Sequence, residues 1–239
     1  LLKVGECNVR DRITFAGGGE GTRLFYLYVG VIRTPDGVVL VDTGPADLEA
    51  FNRGVEDYIP GGIRQTPEET TPRRLAACGV HPEEVRWVAV THLHPDHCEF
   101  FDLFPNAALV VQKQGFTDAL PSVRPRVMAA LARRWPQSLR LVSAPEEILV
   151  PGIRCVHLGC HSPCSQAVVV DTERGRAVFA GDVAYLYANL ESDRPIGGVP
   201  PPAWATAAAT IRRYADILIP GHDPEVLERW PGGWIPACC

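Results

Sequence analysis

The chain has 239 residues, 46% hydrophobic and 21% charged, with 23 Lys and Arg against 28 Asp and Glu, a formal charge of −5 and a sequence pI near 5.8. That length spans one large domain or two small ones with a real core, and the apolar share with so small a charge imbalance excludes a disordered chain. The acidic balance offers no general attraction to nucleic acid or an anionic membrane, and no apolar run reaches the roughly 18 residues that span a bilayer.

The opening stretch, LLKVGECNVRDRITF, carries charge throughout and has no apolar signal-peptide region. A chain this long does not need disulfide staples, no secretion signal supports them, and the eight cysteines form no paired CxxC units, so no zinc ribbon is indicated. A cytoplasmic protein with reduced thiols, packed mostly as small hydrophobes, is the expectation.

Residues 23–33 (RLFYLYVGVIR) predict a strand, which turns through Thr34-Pro35-Asp36-Gly37 into a second at 38–41 and leaves by Asp42-Thr43-Gly44 at a sheet edge. Thr71-Pro72 caps a short helix that Gly79 stops. Residues 86–91 (RWVAVT) read as a buried strand running into a histidine cluster, 107–111 as another strand, and 126–135 as an amphipathic helix. Residues 153–158 lead to Gly159-Cys160-His161, and 166–171 turn through TERGR into 177–180 and Gly181-Asp182. Pro200-Pro201-Pro202 predicts a rigid loop before an Ala-rich helix from about 203 to 215, and a last strand, 216–219, ends at Pro220-Gly221-His222. Strands alternating with helices in both halves predict a layered α/β chain.

One arrangement recurs: an apolar strand stops and a metal-ligand residue type follows, at His92, His161, Asp182 and His222. The strongest piece is Thr91-His92-Leu93-His94-Pro95-Asp96-His97, an HxHxDH pattern. Two imidazoles two residues apart on a bent segment can share one ion, and Asp96 and His97, a turn later, can reach a second. Imidazole with carboxylate suits zinc or a similar first-row ion.

HxHxDH with a later His, a Gly-Asp and a terminal Gly-His resembles the metallo-β-lactamase superfamily of binuclear hydrolases, over nearly the whole chain from Asp42 to His222. The resemblance implies an α/β (α+β) fold, a four-layer αββα sandwich of two mixed sheets flanked by helices, spanning residues 1–239 as a single domain. It implies two divalent metal ions, zinc first, with iron, cobalt or manganese as alternatives. By motif, His92, His94 and His161 hold one ion, Asp96, His97 and His222 the other, and Asp182 bridges them. His81 and His157 match nothing and default to surface or packing roles.

The stretches HLHPDHCEFFDLFPNAALVVQKQGFTDAL and HSPCSQAVVVDTERGRAVFAGDVAY are similar to the N-acyl-homoserine lactone lactonases. That similarity implies a quorum-quenching hydrolase that opens the lactone ring through a metal-bridging hydroxide. Tyr185 would stabilise the oxyanion and Asp96 would shuttle the proton to the leaving alkoxide; Tyr187 is a weaker candidate for the tyrosine role. The partner is then a small-molecule lactone, with no nucleic acid or membrane, and a homodimer stays open. Another ester, thioester or lactone hydrolase of the same superfamily, or a non-catalytic metal-binding domain, are the alternatives.

The chain departs from its relatives beside the expected metals. Cys98-Glu99-Phe100 stands for the usual Ala-Gly-Gly, Cys160 and Cys164 replace glycines around the third His, and Pro95 replaces an aromatic residue. Loss of glycine predicts altered local backbone. The three cysteines are fillers, an extra soft ligand or a redox-sensitive element. Phe100, Phe101, Leu186 or the 55–63 segment are candidates for an acyl-chain surface.

Overall fold

Two mixed sheets stack face to face. The computed structural model describes residues 1–114, 125–134 and 137–235. The first sheet runs in chain order: β1 (Leu2–Arg10), β2 (Thr22–Thr34), β3 (Gly37–Val41), β4 (Val85–Ala89), β5 (Ala108–Gln112) and β6 (Leu139–Val142). Its pairs are antiparallel from β1 to β3 and parallel from β3 to β6. The second sheet is ordered β11-β10-β9-β8-β7, with β7 (Glu146–Val150), β8 (Ile153–His157), β9 (Gln166–Thr172), β10 (Gly175–Phe179) and β11 (Ile217–Ile219); only its β10–β11 pair is parallel.

Central strands buried on both faces must be apolar at every position, because alternate side chains enter different cores. In β3, Val39 and Val41 face the space between the sheets, together with Ala89, Val110, Val168 and Val170. Val38 and Leu40 face outward, into a cluster that also holds Leu75, Val127 and Leu131 from helices Thr71–Ala77 and Pro125–Arg134. Helix Pro201–Tyr214 brings Trp204, Ala207 and Ile211 to Val169 and Val178, the outward positions of the second sheet. The architecture is therefore the expected αββα sandwich.

Several boundaries move for identifiable reasons. Pro201 and Pro202 lie inside the first helical turn rather than in a loop, where a missing N–H costs nothing. The 126–135 helix spans Pro125–Arg134, and Trp135 lies outside the described residues. Thr70, not Thr71, stands at the cap of helix Thr71–Ala77; the Thr71 hydroxyl instead donates to the Thr43 carbonyl at 2.7 Å. β3 is an interior strand, so Asp42-Thr43-Gly44 leaves from a strand end and not from an edge.

The sheets are also pinned by polar groups. Gln166, at the start of β9, is fully buried; its backbone N–H donates to Thr91 O (2.9 Å) and its side-chain Nε2 to Val90 O (2.6 Å). This bond crosses between the two sheets directly behind His92.

Candidate metal centre

Each residue of the predicted ligand set follows a strand end, and the backbone there is shaped to bring the set together. His92 and His94 lie just beyond β4, Asp96 and His97 sit on the short helix Pro95–Cys98, His161 follows β8, Asp182 follows β10 and His222 follows β11. Gly181 (φ +51) packs so closely that a Cβ would meet Thr91 Cβ at 2.8 Å, and a Cβ on Gly221 would meet Gly181 O at 2.8 Å and Asp182 Oδ1 at 3.1 Å. Glycine before Asp182 and before His222 lets two ligand loops touch.

The other six predicted residues gather around Asp182, four of them against its carboxylate. Its Oδ1 is 3.0 Å from His222 Nε2 and 3.2 Å from His97 Nε2; its Oδ2 is 3.3 Å from His161 Nε2 and 3.5 Å from His92 Nε2. His94 Nδ1 lies 3.0 Å from His161 Nε2, and Asp96 Oδ2 lies 3.5 Å from His97 Nε2. Two groups of ligand atoms result, His92, His94, His161 and Asp182 in one and Asp96, His97 and His222 in the other, each within 4.8 Å. The carboxylate of Asp182 faces both.

Hydrogen bonds behind the rings fix which nitrogen faces inward. His97 Nδ1 donates to Asp42 Oδ2 at 2.9 Å and His222 Nδ1 donates to Tyr26 O at 2.9 Å. Thr91 Oγ1 gives its proton to Asp42 Oδ2 (2.8 Å), so it accepts from His92 Nδ1 at 3.2 Å. The Nε2 atoms are thus aimed at Asp182; that of His222 is within hydrogen-bond distance of Oδ1 at 3.0 Å, whereas buried His92 Nε2 and His97 Nε2 have no hydrogen-bond partner. Ring nitrogens crowded on a buried carboxylate need protons or a metal cation between them, so these residues fit the divalent metals that the ligand types imply.

The electrostatics agree. Burial, then the neighbouring imidazoles, hold His92 well below the usual histidine range, and burial holds His161 at about 4. Burial is the largest single influence on His97 and His222 too and opposes charge, but the carboxylates around them, Asp182 first, with Asp96 and, for His97, Asp42, together raise both. Burial likewise opposes charge on Asp182, yet His97 and His222 keep its carboxyl well below the ordinary aspartate value.

Tyr185 stands at the same floor. Its hydroxyl lies 3.3 Å from His161 Nδ1; with His161 Nε2 turned to the ligand group, Nδ1 carries the ring proton and donates, which leaves the phenolic proton free to point into the cleft. Burial, reinforced by Asp182, raises its pKa well above 10, so the hydroxyl stays neutral. Tyr187, the weaker candidate, belongs instead to the core between the sheets, with Arg229 over its ring at 3.5 Å.

The floor opens into a cleft of about 650 Å³. Its walls are Cys7, Val9, Ile13, Phe25, Phe51, Val55 and Ile59, and Arg53 and Tyr58 stand at its exposed mouth. Of the candidates for an acyl-chain surface, the 55–63 segment lines the cleft, through Val55, Tyr58 and Ile59. Phe100, Phe101 and Leu186 do not line the cleft, and Phe101 is wholly buried in the outer core.

Sequence reasoning missed Asp42 as a functional residue. It adopts φ +61, and its carboxylate also accepts from Thr91 N at 2.7 Å, fastening the histidine segment to the end of β3. An acidic residue directly after an apolar strand and before Thr-Gly was the available signal. His81 caps the turn Pro82–Glu84, and His157 donates to Pro163 O at 3.0 Å, so both are structural.

The cysteines answer the question they raised. Cys98, Cys160 and Cys164 are buried in the outer core, and no cysteine joins either ligand group among the described residues. None of the three has a positive φ; the positive φ values near the third His belong to Gly159 (+60) and His161 (+68). Burial also raises the Cys98 thiol well above its usual range, which keeps it a thiol.

Known proteins share this layout. A lactonase acting on N-acyl homoserine lactones from Bacillus thuringiensis is 26% identical over 207 residues, covering 82% of this chain and 80% of that protein. The crystal structure of the B. thuringiensis lactonase AiiA with N-decanoyl-L-homoserine at its active site superposes with a TM-score of 0.80, at 23% identity, over 95% of this chain and 94% of that one. AidC, a dizinc quorum-quenching lactonase, superposes at 0.67 with 16% identity, over 99% of this chain and 93% of its own. The model of the metallo-β-lactamase superfamily matches residues 23–222, which take in the whole ligand set. The chain belongs to the metallo-β-lactamase superfamily.

Proposed function

We propose that this protein is a metal-dependent hydrolase that opens the lactone ring of N-acyl-homoserine lactones. One observation carries the reading: a neutral tyrosine hydroxyl and a carboxylate ringed by imidazoles share the floor of an apolar-walled cleft. The lactonases at 26% identity supply the substrate class. Ligands from both halves of the chain argue that residues 1–239 act as one domain.

His92, His94 and His161 would hold one divalent ion, Asp96, His97 and His222 a second, and Asp182 would bridge them, with zinc the first candidate. Two such ions polarise a carbonyl and make a bound water acidic enough to ionise near neutral pH. The remaining work falls to side chains. Tyr185 keeps its proton and donates a hydrogen bond to the carbonyl oxygen as charge develops there, its hydroxyl held beside His161 Nδ1. Asp96, at the cleft floor, takes the proton of the attacking water and returns it to the alkoxide that leaves from the ring. Phe25, Phe51, Val55 and Ile59 hold the acyl chain and exclude water.

A pH-stat assay of the metal-loaded protein across short- and long-chain acyl lactones, simple esters and thioesters tests the proposal. Faster turnover of acyl lactones, lost on chelation and restored by metal, is the expected result. Preference for thioesters or plain esters would assign the site to another hydrolase of the superfamily, and metal binding without turnover of any of them would make it a non-catalytic metal-binding domain.

A further inference from the structure

Residue 99 carries a carboxylate where the relatives' pattern has glycine, and the fold gives that carboxylate a specific task. Glu99 caps the C-terminal end of Pro95–Cys98, the helix that bears Asp96 and His97, and it is only 3% exposed. Its Oε2 accepts from Ala46 N at 2.8 Å and Asp47 N at 2.9 Å, while its own N–H donates to Gly44 O at 3.2 Å. Asp47 in turn accepts from Ala50 N at 2.9 Å, capping helix Leu48–Asn52. That helix lays Ala50 and Phe51 along the cleft and delivers Arg53 to its mouth.

A five-residue helix has no stability of its own, because nucleation fixes several residues for very few hydrogen bonds. Its position depends on its tethers, and a carboxylate accepting two backbone N–H bonds is a strong one. We propose that Glu99 is a positioning residue that hangs the Phe51 wall from the ligand-bearing helix and so sets selectivity for the acyl part of the substrate. This rests on the lactonase reading for the substrate, but not for the tether. Glycine at 99 has no side chain to reach the 46–47 amides, so a chain with glycine there must hold this wall in another way.

The test compares wild type, Glu99→Ala and Glu99→Gln as metal-loaded proteins, measuring metal content, amide exchange over residues 46–50, and kcat and KM for butanoyl and decanoyl homoserine lactones. Binding of N-butanoylglycine and N-decanoylglycine by calorimetry runs in parallel. Glu99→Ala should raise the decanoyl KM and weaken decanoylglycine binding by about tenfold, with faster amide exchange, while metal content, kcat and the butanoyl values stay within about twofold. Glu99→Gln, which keeps an acceptor oxygen, should recover most of the loss. Asp47→Ala, which leaves Glu99 in place, should reproduce the chain-length signature at smaller size and serves if Glu99→Ala does not fold.

Equal losses at both chain lengths, loss of metal, or unchanged decanoyl binding would overturn the proposal. If wild type hydrolyses no lactone, the functional reading falls while the glycine-conjugate binding and amide exchange still decide the role of Glu99.

Discussion

Asp42 Oδ2 accepts a 2.9 Å hydrogen bond from His97 Nδ1, and the same carboxylate holds the N–H and hydroxyl of Thr91. One side chain thus sets the tautomer of His97 directly and that of His92 through the threonine. Asp42→Asn suits the test, since asparagine tolerates the left-handed backbone that Asp42 adopts. The amide cannot accept all three bonds, and metal affinity should fall about 10–100-fold, as for other partners that orient ligand histidines. Competition against a chelator measures it; unchanged affinity would remove Asp42 from the metal-binding apparatus.

Tyr185→Phe keeps the packing against Phe25, whose ring centroid lies 5.4 Å away, and removes only the hydroxyl. Turnover of the true substrate should fall by about 10²–10³, the scale for losing one oxyanion donor. Metal content should not change. A variant with full turnover would assign carbonyl stabilisation elsewhere.

Metal uptake should release protons. In metal-free protein His97 and His222 have raised pKa values, because Asp182 and the other nearby carboxylates together overcome burial, so they carry protons further up the pH scale than free imidazole. A ligand histidine must be neutral. Affinity should therefore climb as pH rises toward those raised values and flatten above them. His161, held near 4, and His92, also lowered, should release none at neutral pH. Calorimetry in buffers of different ionisation enthalpy counts the protons; zero release at pH 7 would contradict the charge balance around Asp182.

Gly221→Ala tests the contact between the two last ligand loops. Its Cβ would press on the Gly181 carbonyl, which is backbone and cannot swing aside. A cost of about 1–3 kcal/mol is expected, visible as a lower Tm together with weaker metal binding. A variant as stable as wild type would mean that the loops have slack.

Substitution of Cys98, Cys160 or Cys164 by alanine should leave metal stoichiometry intact and cost about 1 kcal/mol or somewhat more through lost packing. Altered stoichiometry in any of them would restore the soft-ligand reading.

The candidate ligand set was legible because His92, His161, Asp182 and His222 each follow an apolar strand, while His94, Asp96 and His97 stood in the HxHxDH motif whose family resemblance completed it. β1 was not. Its register shifts between Lys3 and Gly5, which breaks the two-residue alternation by which a half-buried strand is recognised. Asp42 was visible as a turn residue but not as the partner of His97, since 55 positions separate them and only the parallel β3–β4 pairing brings them together. The cleft walls were hidden for a similar reason: Cys7, Phe25 and Phe51 come from three elements and share a surface only after folding.

Gln166 gives the centre a property that its ligand loops alone would lack. His92 leaves the first sheet and Asp182 the second, so a slide of one sheet over the other would open the cluster at its middle. The buried Gln166 side chain, reaching from β9 to the carbonyl of Val90, two residues before His92, opposes that slide where it would do most harm. Tolerances in the candidate ligand cluster are therefore inherited from the lamination of the sandwich, and a substitution at this glutamine should blur the geometry of every candidate ligand at once while touching none.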